Sequence, residues 1–573
     1  MTWIMSLHMR SPYLIPGMTA VAALVLAVPL PSQSQMSTDA RVDSLFESFT
    51  KPGSPGAAVA IVRNGEVVLA KGYGLANLEL DVPITPRSVF YIGSDSKQFV
   101  ATAIALLVQD GALSLDDDIR KYIPEIRDYG QIVTIRHLLH HTSGIRDYLT
   151  LMDLAGISLD AFHDNQPVID LIARQRALNF APGDQYLYSN SGYLLLAEIV
   201  GRVSGESIRA FAERRIFAPL RMHDTHFHDD YTHLIPRRAS AYFPAREGGY
   251  TAFLTTFDRV GSGGVFSTVE DLARWDANFY TQQVGGEAVQ EMLHTRGVLA
   301  GGDTIAYALG LEIGEYNGYR LVEHGGALGG YRANILRLPD ARFSVIILAN
   351  VPTVNVASLS RSIVDLYLPP AVVAAEEGQA TPELGAEVME VPREELERVT
   401  GHYWNEEDGL ARQIVLDGGK LLYRRGPGNQ TELVAIRGGR FLMVDVGVRV
   451  VVSFDPRDRR AKRMVVDQEG LPNSVFEAYT PWEPAATELE AFAGSYYSDE
   501  LQVTYLVRAE GAGLVVTTST DSARFVPVMQ NTFQVPSGPI VEFSTGGGVV
   551  NGFVLQAGRV RNLLFRRAEK SVP

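Results

Sequence analysis

Ser94-Asp95-Ser96-Lys97 is the sharpest chemical feature of the chain. It follows Tyr91-Ile92-Gly93 and opens a segment of strong helical periodicity. Residues at i and i+3 share a helix face, so Ser94 and Lys97 can touch while Ser96 points elsewhere. A serine hydroxyl is a poor nucleophile until a neighbour takes its proton. A lysine amine can be that neighbour when burial or nearby cations lower its pKa. The helix N-terminus adds oriented N–H dipoles where an oxyanion would form. Taken alone, Ser94 would serve equally well as a helix N-cap beside an exposed lysine. Ser48 and Lys51 repeat the spacing, but that lysine abuts Pro52-Gly53, where nothing would bury it. With no cysteine in the chain, disulfides, thiolate metal sites and cysteine catalysis are excluded. The absence of Gly-x-Ser-x-Gly argues against an α/β-hydrolase.

Two further groupings carry chemistry. Tyr188-Ser189-Asn190 precedes a helical segment; a phenol beside a lysine can pass a proton between serine and leaving group. An asparagine amide can donate to a substrate carbonyl while its oxygen holds the lysine. His324-Gly325-Gly326-Ala327 stands where a strand meets a glycine-rich turn, His324 to Gly330. Glycines there allow close backbone approach by a ligand. The histidine could bind a carboxylate, relay protons or cap the turn. Each grouping by itself also fits a structural role. His137 and His141 have the i, i+4 spacing of zinc ligands, but Leu138 stands where a glutamate base would be needed. Asp116-Asp117-Asp118 lacks the glycine and terminal glutamate of a calcium loop. No cofactor or metal is implied.

The elements that must position these residues follow from periodicity. Ala57–Val62 and Glu66–Leu69 form a hairpin across Asn64-Gly65. Helices are expected around 94–107, 135–140, 192–203 and 269–279. Strands return at 305–312, 319–323, 333–338 and 344–348, and a helix closes the region at 358–368. Strands, then helices, then strands predict an α+β fold, an antiparallel sheet packed against helices. The expected division is a catalytic domain over 35–370, a Pro/Ala/Glu-rich linker over 371–392, and two small all-β barrel-like domains over 393–480 and 481–573. The two tail domains share a faint repeat: Leu396-Glu397 and Gly401-His402-Tyr403 recur as Leu489-Glu490 and Gly494-Ser495-Tyr496. Residues 1–34, with the apolar stretch Met18–Leu30, are expected to be a cleavable signal peptide, giving a periplasmic or secreted protein without lasting membrane insertion. A formal net charge of -15 argues against nucleic-acid partners.

In combination, Ser94-x-x-Lys97, Tyr188-x-Asn190 and His324-x-Gly326 resemble, in order and rough spacing, the motifs of the penicillin-recognising serine hydrolases. That group holds class C β-lactamases, DD-carboxypeptidases, D-aminopeptidases and related esterases. Phe90–Val100, Leu113–Asp117, Thr134–Ile145 and Gly263–Trp275 are similar to the family as well. The resemblance implies Ser94 as acylated nucleophile, Lys97 as its base and Tyr188 as acid/base for the leaving group and the hydrolytic water. It implies that Asn190 orients the substrate amide. It further implies an oxyanion hole from the backbone N–H groups of Ser94 and Ala327. His324 takes the place where β-lactamases and carboxypeptidases usually have lysine, and His-x-Gly is similar to D-aminopeptidases. Bacterial D-aminopeptidases of the family carry two β-barrels after the catalytic domain, and a loop of the last one enters the active site; no such loop is identifiable from sequence here. The expected activity is hydrolysis of a small D-amino-acid amide or short peptide. The alternatives are a β-lactamase or carboxylesterase on the same scaffold, an acyl-transferase, or a non-catalytic protein that binds peptidoglycan-like peptides. The oligomeric state is not legible.

Overall fold

The computed structural model describes residues 37–568 apart from 160–163, 257, 372–387, 407–408, 427–428, 445, 447–448, 456–461, 469–472 and 537. The expected signal peptide and most of the expected linker lie outside the described residues. Among the described residues no helix is long and apolar enough to cross a membrane.

The catalytic region is built on a six-stranded antiparallel sheet. Its strands are β1 (Ala57–Arg63), β2 (Glu66–Tyr73), β3 (Glu312–Tyr316), β4 (Tyr319–Leu328), β5 (Tyr331–Leu338) and β6 (Phe343–Ala349), in the order β3-β4-β5-β6-β1-β2. Asn64 and Gly65 both take positive φ, as the tight β1–β2 turn requires. Along β1 the side chains alternate between two cores. Ala57, Val59 and Ile61 pack with Val42 of helix α1 (Thr38–Leu45) and with Ile363 and Val364 of helix α5 (Val356–Tyr367). Ala58, Ala60 and Val62 face the larger helical layer, which contains α2 (Lys97–Gln109), α3 (Asn190–Ser204) and α4 (Val269–Thr281). The central strands β5, β6 and β1 are buried on both faces, which explains why they are mainly apolar.

Two expectations need correction. The apolar run at 305–312 is not a strand: only one isolated bridge, Tyr307 with Glu312, forms there, and the regular strand begins at Glu312. Tyr307, Ala308 and Leu309 are buried consecutively, so the run plugs the helical core instead of alternating across a sheet. Conversely, the expected turn at His324–Gly330 is strand down to Leu328, with His324, Gly325 and Gly326 paired to Ile335, Asn334 and Ala333 of β5. The turn is confined to Gly329-Gly330.

Two closed eight-stranded barrels follow, running from Gly401 to Tyr479 and from Gly494 to Arg567. The faint repeat marks the same device in each. Tyr403 and Tyr496 are fully buried on the first strand, and each hydroxyl donates to the carbonyl four residues earlier, Val399 and Phe492, at 2.8 Å. The first barrel has its own core, whereas that of the second is continuous with the helical layer of the catalytic region. A buried ion pair helps fasten the second barrel: Arg146 Nη1 lies 2.6 Å from Glu500 Oε2, with the two side chains 0% and 4% exposed. Arg146 also donates to the carbonyls of Arg561 and Asn562, at 2.9 and 2.7 Å.

Candidate active site

Ser94 stands on a 3-10 turn, Gly93–Ser96, that leads into α2. The sequence pattern extends the α-helix through Ser94; the structure starts it at Lys97. Ser96 turns away, as expected, donating to the Gly93 carbonyl at 2.7 Å and accepting from Val265 N at 3.1 Å. Helix α2 is buried on nearly every side, and Lys97 is buried with it.

Three acceptors surround the Lys97 amine: Ser94 Oγ at 3.0 Å, Asn190 Oδ1 at 3.0 Å and the Ser262 carbonyl at 2.7 Å. Burial pushes its pKa well below the usual lysine range; Asp147 opposes this and the Arg559 charge reinforces it. A neutral amine here can donate to Asn190 and Ser262 and turn its lone pair on the Ser94 hydroxyl, which is the geometry of a general base. Asn190 is itself oriented by buried Asp147, which accepts from its backbone N at 2.7 Å and its side-chain Nδ2 at 2.9 Å. Asp147 also caps the helix Tyr148–Leu154.

Tyr188 also reaches Ser94. Burial raises its pKa well above that of a free phenol, against a hydrogen bond with Ser94 that lowers it. Its ring is packed 4.1 Å from the His141 ring, with Lys97 Nζ 4.8 Å and the Arg559 guanidinium 4.7 Å from its centroid. His141 accepts from Ser189 N at 3.2 Å through Nδ1. The zinc-like spacing of His137 and His141 has another explanation: His137 completes the cap of the helix Ile135–Leu139, and His141 supports Tyr188.

Gly326 and Ala327 lie on β4 directly against the Ser94 turn. A methyl group at Gly326 would fall 1.8 Å from the Ile92 carbonyl oxygen, and one at Gly93 would fall 2.6 Å from Ala327 N. Only glycine at both places lets the strand and the turn approach closely enough to bring Ser94 N and Ala327 N to one site. His324 shares the buried face of Gly326. Its Nδ1 lies 2.8 Å from the Gly325 carbonyl and its Nε2 2.9 Å from the Tyr307 hydroxyl. Burial and the Lys97 charge hold its pKa down to about 3. The side chain is therefore a neutral Nδ1–H imidazole fixed at both nitrogens, not a cation available to a substrate carboxylate.

Ser94, Tyr188, Asn190, His324, Gly326 and Ala327 line one cavity of about 720 Å³. Its rim includes a residue from far along the chain, Arg559, in the turn between β7 (Val549–Ala557) and β8 (Val560–Arg567) of the second barrel. The Arg559 carbonyl accepts from Asp147 N at 3.3 Å and from Asn179 Nδ2 at 3.0 Å. This is the barrel loop that could not be identified from sequence. Asp147, Ser262, Tyr307 and Arg559 were missed for the same reason: each reaches the site through a long-range contact that leaves no local pattern.

The beta-lactamase family model matches residues 42–367. A D-aminopeptidase of Brucella canis is 27% identical over 462 residues, covering 80% of this chain and 82% of that protein. A D-aminopeptidase of Gluconobacter oxydans is 28% identical over 312 residues, covering 54% of this chain and 58% of that protein. The fold is similar to that of the octameric penicillin-binding protein homologue from Pyrococcus abyssi, at 24% identity and a TM-score of 0.54, over 77% of this chain and 100% of that one. With its catalytic region matched over more than half of its length, the chain belongs to the beta-lactamase family and is a serine hydrolase of the penicillin-recognising type.

Proposed function

We propose that the protein hydrolyses the amide bond that follows an N-terminal D-amino acid, through an acyl-enzyme on Ser94. The observation that carries this reading is the buried Lys97 amine held between Ser94, Asn190 and the Ser262 carbonyl. The similarity to D-aminopeptidases supports the substrate class.

In acylation, neutral Lys97 takes the Ser94 proton as Oγ attacks the substrate carbonyl. The oxyanion is received by Ser94 N and Ala327 N, where a single donor is worth about 10²–10³ in rate. Asn190 Nδ2 and Oδ1 are both engaged, so Asn190 acts first by orienting Lys97. Tyr188, protonated across the neutral range, delivers a proton to the leaving nitrogen as the C–N bond breaks. Its phenolate is reprotonated from Lys97, which restores the neutral amine. Water then attacks the ester, giving up its proton through the same pair, and the D-amino acid leaves with Ser94 regenerated. The apolar stretch Met18–Leu30 supports an exported enzyme; N-terminal sequencing of the mature protein tests that part.

The functional test compares initial rates on D-alanine p-nitroanilide, its L-enantiomer, nitrocefin and p-nitrophenyl butyrate, each against Ser94→Ala. Ser94-dependent turnover dominated by the D-anilide is expected. Dominance of nitrocefin or the butyrate ester would replace the substrate class with a lactam or an ester. No Ser94-dependent rate on any of the four would favour a binding role.

A further inference from the structure

We propose that Arg559 reads the free carboxylate of the leaving amino acid, so that the site favours dipeptides with an N-terminal D-residue over simple amides. This rests on the D-aminoacyl hydrolase reading above and adds the chemistry of the leaving group.

Three arginines line the cavity, and they differ in what they offer. Arg361 is held by Glu323, on the sheet face that carries α5. Arg259 is buried beside Tyr148. Arg559 is exposed at the rim, and among the described residues no carboxylate pairs with it. Its guanidinium lies over the face of Tyr188, 4.7 Å from the ring centroid. That contact fixes which half of the substrate it meets. Tyr188 is the group that protonates the leaving nitrogen, so the leaving half lies beside the Tyr188 hydroxyl, next to the guanidinium. In an α-amino acid the carboxylate carbon is about 2.5 Å from that nitrogen, two bonds away. A carboxylate so placed is within reach of the guanidinium's paired N–H donors.

The charge has a reason to be supplied from the barrel. His324 is neutral and fixed at both nitrogens, so the part of β4 that lines the cavity offers no cation to a carboxylate. Nor is the Arg559 turn a dangling one. Its backbone is bonded to Asp147 and Asn179, Arg561 N donates to Asn179 Oδ1 at 2.7 Å, and Arg146 grips the next two carbonyls. With the backbone held this firmly, only the side chain is left to order on recognition, and its contact with the Tyr188 ring already limits that freedom.

The test uses a matched pair, D-alanyl-glycine and D-alanyl-glycinamide, which differ only in the leaving-group carboxylate. The wild-type protein is expected to show the higher kcat/KM on the acid. Arg559→Gln lowers kcat/KM on the acid by about 10- to 100-fold, the loss of one charge-assisted pair, and brings the acid-to-amide ratio near one. Arg559→Lys keeps part of the preference, which shows that the Gln variant has lost a charge and not its fold. An equal fall on both substrates, or an unchanged ratio, overturns the proposal. Calorimetric binding of both dipeptides to Ser94→Ala, with and without Arg559→Gln, separates this inference from the reading it rests on. An Arg559-dependent preference in binding without turnover by the wild type would uphold Arg559 and refute the hydrolase reading; turnover with no such preference would do the reverse.

Discussion

Gly326 and Gly325 are neighbours on one strand, and the structure predicts opposite consequences for adding a methyl group to each. At Gly326 the new carbon would lie 1.8 Å from the Ile92 carbonyl oxygen and 3.2 Å from Ser94 N. Ordinary C···O contacts are about 3.3 Å, so β4 and the Ser94 turn must part by about 1.5 Å. Misplacement by about 1 Å costs roughly 10²-fold in rate, and loss of one oxyanion donor 10²–10³-fold. Gly326→Ala should therefore lower kcat/KM on D-alanine p-nitroanilide by at least about 100-fold. At Gly325 the methyl points to the other face of the sheet, with Ala333 O at 3.7 Å and Asn334 Oδ1 at 3.8 Å, both ordinary contacts. Gly325→Ala should stay within about 3-fold of wild type, as substitutions without a clash do. Urea unfolding of both variants keeps the comparison per folded molecule, because overpacking at Gly326 should also cost about 1–3 kcal/mol. A Gly326→Ala protein with more than a fifth of wild-type kcat/KM would refute the close-approach argument. So would equal losses in the two variants.

Four other outcomes are expected. Since the neutral amine of Lys97 is the working base, kcat/KM should fall as acidification protonates it; Arg559→Gln removes a charge that lowers its pKa and should move that limb to higher pH. The limb should persist in His324→Gln at whatever rate remains, because the imidazole, with its pKa held down to about 3, is already neutral there. Asp147→Ala frees both Asn190 donors and should cost about 1–3 kcal/mol in urea unfolding together with a fall in kcat. Glu500→Ala strands the buried Arg146 charge and should destabilise the protein by about 3–5 kcal/mol, read by the same assay, loosening the Arg559 turn with it.

What was legible in the sequence was local. The i, i+3 pair Ser94 and Lys97 announces a shared helix face, and the structure places the two side chains 3.0 Å apart. Helices α2 to α5 and the hairpins β1–β2 and β5–β6 fall where periodicity and turn residues put them, because each element buries a patterned face. The repeated Gly-x-Tyr marks the first strand of each barrel, since a buried tyrosine bonded four residues back is a sequence-local motif. The errors have a common cause too. Gly325 and Gly326 signal a turn by propensity, yet both stay in strand, paired to β5, and at Gly326 the Ser94 turn packs so closely that no side chain fits. Tyr307 and Arg559 belong to an unremarkable apolar run and an ordinary hairpin turn. Their importance arises only when segments hundreds of residues apart meet, and nothing in either segment records its partner.

The central claim is that Ser94 becomes acylated with Lys97 as its base. Intact-protein mass spectrometry after rapid acid quench of a reaction with a slow D-aminoacyl ester tests it directly. The account predicts one adduct of acyl mass on the peptide containing Ser94, no adduct in Ser94→Ala, and formation slowed by at least about 10²-fold in Lys97→Ala. Turnover by the wild type with no trapped adduct, or an adduct on another residue, would contradict it.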